Sequence, residues 1–65
     1  MRYKIKAYRD TGEDQWIEEV EIYAERDKEA EAIAFEMFTE WSKWQWESYQ
    51  LFDSSGLRYI AGCQR

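Results

Sequence analysis

Along residues 2–9, RYKIKAYR, apolar and polar positions alternate: Tyr3, Ile5 and Ala7 fall on one side, Lys4, Lys6 and Tyr8 on the other. Such period-two alternation marks a strand with one buried face. The stretch DTGEDQ then supplies turn residues. After it WIEEVEIYA, residues 16–24, alternates again, with Val20, Ile22 and Ala24 opposite Glu19, Glu21 and Tyr23. Inner residues must face inner residues across a hairpin, so the sequence tests its own register. Pairing Arg9 with Trp16 sets Ile5 opposite Val20 and Tyr3 opposite Ile22. The same register brings Lys6 to Glu19 and Lys4 to Glu21 on the outer face. Shifting it by two residues in either direction loses one of those charge pairs. Each pair contributes only a few tenths to about 1 kcal/mol; their agreement with the apolar pattern carries the assignment.

The period changes in AERDKEAEAIAFEMFTEW. At about 100° per residue, Ala30, Ile33, Ala34, Met37, Phe38 and Trp41 share one face. A helix is predicted over about residues 27–42, with Asp27 as its N-cap and Glu29 and Glu31 near the positive end of its dipole. Its alanines allow close approach to a sheet. Glu29, Glu36 and Glu40 form a flank toward solvent, and Phe35 lies off the apolar face, either at its margin or exposed.

Two readings compete in EWSKWQWESYQLF, residues 40–52. A continued helix keeps Trp44 on the apolar face but throws Trp46 and Tyr49 off it. A strand over about 44–52 alternates, and pairs with a strand over about 57–63 across DSSG, where Gly56 suits a positive φ. The strand is the preferred reading. It places Trp44, Trp46 and Phe52 on one face, and Tyr49 and Leu51 on the other. The predicted fold class is α+β: a single domain over 1–65, with a four-stranded antiparallel sheet (ββαββ) and one helix packed on one face. A lone helix covers one face only, so some rings are core and others uncovered. The pattern does not decide which.

At 65 residues with one cysteine, the chain has no intramolecular disulfide to staple it. Ordering it costs on the order of 100 kcal/mol. Burial of its aromatics (three Phe, four Trp, five Tyr) must offset that cost. Cys63 reads as a small apolar strand residue, compatible with a reducing compartment. The start carries no apolar run of signal-peptide length, and no stretch approaches the roughly 20 apolar residues of a membrane span. A cytoplasmic protein without membrane contact is expected.

Charge sharpens the picture. Residues 1–9 carry Arg2, Lys4, Lys6 and Arg9 and no acid. All 14 acids lie within 10–53, against Arg26, Lys28 and Lys43, and the net charge is −5. Such a surface repels a phosphate backbone and favours basic partners. The absence of histidine, with one cysteine, removes the usual triads, dyads and zinc sites. Gly12, Gly56 and Gly62 are too scattered for a phosphate loop. DTGEDQWIEE lacks the aspartate spacing of a calcium loop. No catalytic residue, metal or cofactor is assigned, and the expected function is non-enzymatic binding of a protein with a basic surface. Trp44, Trp46 and Phe52 are the expected anchors, because tryptophan and other large rings hold interfaces; Glu29, Glu36 and Glu40 are the electrostatic element. Two alternatives stand beside it. One is a single-stranded nucleic-acid module with exposed rings and Lys4, Lys6, Arg9, Lys43 and Arg58 on phosphates, disfavoured by net charge. The other is a homodimer through uncovered sheet faces or edges.

VEIYAERDKEAEAIAF runs from an outgoing strand into a helix through Val20, Ile22, Ala24, Asp27, Glu29, Ala30, Ile33 and Ala34. With the closing DSSGLRYIAGCQR, including Arg58, Tyr59 and Cys63, this layout resembles small phage-encoded accessory proteins of the anti-CRISPR type. The resemblance implies a short cytoplasmic inhibitor that blocks a CRISPR effector or another host nucleic-acid machine without catalysis, on a basic channel. If that blockade mimics phosphate, Glu29, Glu36 and Glu40 would carry it, extended by Glu47 and by Asp10, Glu13 and Asp14.

Overall fold

The N-terminal alternation becomes a hairpin in the computed structural model, which describes residues 1–10 and 15–65. Strand β1 (Arg2–Asp10) runs antiparallel to β2 (Gln15–Tyr23). Arg9 pairs with Trp16, Ile5 with Val20, Tyr3 with Ile22, Lys6 with Glu19 and Lys4 with Glu21, the register that charge and apolarity predicted. After it come helix α1 (Asp27–Thr39), a one-turn helix α2 (Trp41–Trp44), β3 (Ser48–Asp53) and β4 (Tyr59–Gln64). The four strands form one antiparallel sheet in the order β2-β1-β3-β4, so the fold is α+β with ββαββ order. The N-terminal strand is therefore central. It pairs with β2 on one side and with β3 on the other, Ile5 meeting Leu51 and Ala7 meeting Tyr49.

Helix α1 covers one face of this sheet. Tyr3, Ile5, Ala7, Ile22, Tyr49 and Leu51 rise from the strands to meet Ala30, Ala34 and Phe38, all buried. Two alanines at the contact leave the helix axis close to the strands. The opposite face has no helix. Lys4, Lys6 and Tyr8 stand there beside Phe52 and Tyr59, whose rings meet edge-on at 5.9 Å.

The helix differs from its sequence reading at both ends. Its N-cap is Arg26, without a side-chain cap. The Asp27 carboxylate, expected to cap, instead accepts from the Tyr3 hydroxyl at 2.9 Å and from the Arg58 guanidinium at 3.1 and 3.3 Å. At the far end Glu40 leaves helical geometry (ψ 70°) and α1 stops at Thr39. Trp41 then opens a new helix and falls out of phase with the apolar face of α1, which leaves it exposed.

The strand expected from Trp44 begins only at Ser48. Gln45 takes a left-handed conformation (φ 55°) that ends α2 and turns the next residue inward. Trp46 therefore lies off any strand, 0% exposed, with its ring 6.2 Å from Tyr49. The expected face shared by Trp44, Trp46 and Phe52 does not exist.

Between β3 and β4 the predicted turn forms, with Gly56 at φ +76°. A register shift near Leu51 and Phe52 lets Tyr59 pair with Phe52. A side chain at Gly62 would sit 2.7 Å from the Tyr59 hydroxyl and 2.9 Å from the Tyr49 carbonyl oxygen, so only glycine fits there.

Candidate functional site

Helical spacing divides the exposed surface of α1 into two flanks. Glu29 borders a hollow of ≈ 180 Å³ with Met1, Tyr23, Ala24 and Glu25, at the end of β2. Glu36 and Glu40 follow Glu29 at spacings of seven and eleven, and so run along that same flank. The other flank presents Lys28, Glu31, Ala32 and Phe35 to a groove of ≈ 530 Å³ whose far wall is β4, at Ala61 and Cys63. One flank looks over β2 and the other over β4.

The β2 side gathers carboxylates. Glu19 and Glu21 point from the strand to the open face, Glu25 lies in the connection, and Glu29, Glu36 and Glu40 continue along the helix, every one exposed. Among the described residues, Glu21, Glu25, Glu29, Glu36 and Glu40 enter no ion pair, whereas Glu19 reaches Lys6 at 4.0 Å. An aromatic ring stands among them. Tyr23 is 67% exposed, steadied by Arg2, whose Nε donates to the Tyr23 hydroxyl at 3.0 Å.

Glu18 behaves differently from its neighbours. It points to the helix side, accepts from Arg9 at 2.6 Å and from the Trp46 indole N–H at 3.2 Å. Its charge is neutralised locally, and it fixes the orientation of the buried indole.

Beside the start of β4, Arg58 is paired. It bridges Asp27 (3.1 Å) and Asp53 (3.5 Å). Hydrogen bonds from Arg58 and then Tyr3 hold the Asp27 carboxyl below the usual carboxylate range. Asp53 is lowered as well, first by the Ser55 hydroxyl. Burial, followed by the bond to Asp27, pushes the Tyr3 phenol up. The contacts among Tyr3, Asp27, Asp53 and Arg58 form a clasp at the start of α1.

The expected site residues separate in three dimensions. Glu29, Glu36 and Glu40 stay together on the β2 flank. Trp46 is core, so it cannot anchor a partner; its predicted exposure depended on a strand that is not there. Trp44 is half-buried over Trp46, ring centroids 5.2 Å apart, with Lys43 Nζ 5.2 Å above it. Phe52 lies on the open face with Lys6 Nζ 5.4 Å from its ring. Glu47 sits at the start of β3, its amide bonded to the Tyr8 carbonyl. Of the turn acids, Glu13 and Asp14 lie outside the described residues, as does the side chain of Asp10.

Sequence reading missed Tyr23 as a candidate anchor and Arg65 altogether. Tyr23 had a signal, since its alternation placed it outward beside glutamates. Arg65 had none: it donates to the carbonyls of Phe38 (2.6 Å) and Trp46 (3.0 Å) and its guanidinium lies between the Phe38 and Trp41 rings (4.4 and 4.8 Å).

Among the described residues, no cluster of three or more His, Cys, Asp or Glu is placed to hold a metal ion, and no helix is long and apolar enough to cross a membrane. Compared with known proteins, the chain matches no protein family model, no curated protein and no solved structure.

Proposed function

We propose that this chain is a non-enzymatic binding domain that docks a protein with a basic surface on its β2 side. The observation that carries the reading is the run of exposed carboxylates without an ion pair among the described residues, Glu21, Glu25, Glu29, Glu36 and Glu40, which starts beside the exposed Tyr23 ring and continues along the helix flank. Unpaired surface charge of one sign steers a complementary partner, and a tyrosine among it supplies apolar contact with little rotamer entropy to lose. A basic protein surface of this kind is found where nucleic acid is held. The layout resemblance supplies the proposed role, inhibition of a host nucleic-acid-processing or defence complex in the cytoplasm, such as a CRISPR effector.

The test is affinity capture from nuclease-treated bacterial lysate with the native chain and with a Glu29→Lys, Glu36→Lys, Glu40→Lys variant. The native chain retains a basic protein, released by salt; the variant loses it while its circular dichroism is unchanged. Equal capture by both removes the acidic flank from the site.

One observation favours a second reading. Arg2, Lys4 and Lys6 stand on the open sheet face with Phe52 and Tyr59, the chemistry of a single-strand binder. Lys6 is already held by Glu19 and over Phe52, and Arg2 over Tyr23, which weighs against it. Salt-sensitive retention on single-stranded oligonucleotides, abolished by Lys4→Glu, would replace the first reading with this one.

A further inference from the structure

Main-chain groups stay open along the β4 edge. Strand order makes β4 an outer strand, and its six residues, YIAGCQ, carry neither charge nor proline. Outer strands are ordinarily blunted by charge, proline or cover, because a row of open N–H and C=O groups invites another strand. The other outer strand, β2, has that protection in Glu19 and Glu21.

Alternation says which groups of β4 are open. The Arg65 amide turns inward to the Glu47 carbonyl at 3.0 Å. Cys63, two residues earlier and paired with Tyr49, therefore also turns its main chain inward, and those of Gly62 and Gln64 point outward. The register shift near Leu51 and Phe52 ends the regular stretch below them. Alongside runs the α1–β4 groove, floored by the small residues Ala61 and Cys63 and bordered by Phe35, 51% exposed.

We infer that β4 pairs antiparallel with β4 of a second copy about a two-fold axis, joining the two sheets into one. Charge selects this occupant. The unpaired carboxylates lie on the β2 side, so the pairing carries them to the two outer ends of the dimer, as far apart as the sheet allows. The rim of the groove presents one charge of each sign, Lys28 and Glu31, and two copies approach there without net repulsion. A foreign basic segment finds its complement on the other side of the molecule. The pairing also uses both outward residues. Gly62 opposes Gln64 of the second copy and the reverse, with two hydrogen bonds exchanged in each pair. Cys63 then faces its counterpart in the non-hydrogen-bonded position between them. The Cα atoms of such a pair lie about 4.5 Å apart, within the span of a disulfide. Both α1 helices stand on one face of the joined sheet, which turns each Phe35 ring toward the seam. This association uses the side opposite the proposed partner surface, so the two can coexist.

Sedimentation equilibrium of the full chain over low-micromolar to sub-millimolar concentrations tests it. A reversible species of twice the 8.0 kDa chain mass is expected. Gln64→Pro removes an outward N–H at a position where an outer strand tolerates proline. Phe35→Glu sets two like charges at the seam. Each should raise the dissociation constant about tenfold or more, since every change acts twice across the axis. Circular dichroism reports whether each variant keeps its fold, and Phe35→Glu, on an exposed helix position, decides the matter if Gln64→Pro does not. Diamide, which takes two electrons and two protons from a thiol pair, should link the dimer through Cys63. A strict monomer at all concentrations overturns the proposal. So does a dimer that folded Phe35→Glu leaves intact, and a dimer whose thiols stay unlinked overturns the register.

Discussion

The two outer strands of one small sheet have been treated in opposite ways. β2 carries three glutamates and borders a helix flank that carries three more. β4 carries none, and faces a groove bordered by alanine, cysteine and a half-exposed phenylalanine. The hydrogen-bonding capacity of the two edges is alike; the side chains decide which is available. Glutamate on an outer strand keeps its carboxylate hydrated and opposes another strand of like charge. A bare edge has no such opposition. One domain thereby separates an electrostatic surface from an edge suited to strand addition, with the core between them.

The deepest test concerns what joins the two sides. Trp46 is the largest fully buried side chain, and its indole donates to Glu18 on β2. Trp46→Ala should cost about 3–5 kcal/mol, enough to unfold most of a domain this small, as thermal or urea denaturation would show. A folded variant that loses only partner binding would move Trp46 back to the surface.

Next in size is erasing the difference between the edges. Glu19→Gln with Glu21→Gln strips the open-face charges from β2 and should let it pair as well. With both edges open, assembly no longer closes at two copies, and light scattering should detect larger species. A size distribution identical to the native chain would mean that charge is not what guards β2.

A smaller effect is expected at the corner of α1 and α2. Arg65→Ala removes two hydrogen bonds to carbonyls and the contact with the Phe38 and Trp41 rings. The expected loss is about 1–3 kcal/mol, read from the urea midpoint. The β4 edge should remain otherwise unchanged, because only its last inward bond adjoins Arg65.

The smallest effect separates the sides by acid. The folded-state pKa values of Asp27 and Asp53 are depressed, so their contribution is complete above the ordinary carboxylate value, about 3.9. It is lost as pH falls through the lower folded-state values. Thermal midpoints should decline in that acidic window, and Asp27→Asn should flatten part of the decline. An equal slope in native and variant chains would show that the Arg58 clasp contributes nothing to acid stability.

Much of this layout was legible in the sequence. The hairpin register followed because two independent patterns, apolar alternation and Lys–Glu pairing, agreed on one alignment. The helix and its glutamate flank followed from spacing alone. Its end did not, because Glu40 leaves helical geometry with no glycine or proline to mark the break. Trp46 escaped for a related reason: its inward turn depends on a left-handed glutamine, a conformation that sequence reserves for glycine or asparagine. The uncharged string YIAGCQ was visible, but whether it is an edge depends on strand order, and that order depends on β1 accepting β3. Asp27 looked like a cap because its partners, Tyr3 and Arg58, are distant in sequence.

The central place of β1 has a consequence for how the chain reaches this state. Its pairing with β2 closes a short loop and can form early. Its pairing with β3 joins Tyr3 to Asp53, and that closure must wait for most of the chain to be in place. In the interval the hairpin exposes a long unsatisfied strand bearing Tyr3, Ile5 and Ala7. The arrival of β3 is therefore the expected slow step in folding, and Leu51→Ala should retard refolding more than an equally destabilising change in β2, as stopped-flow refolding would show.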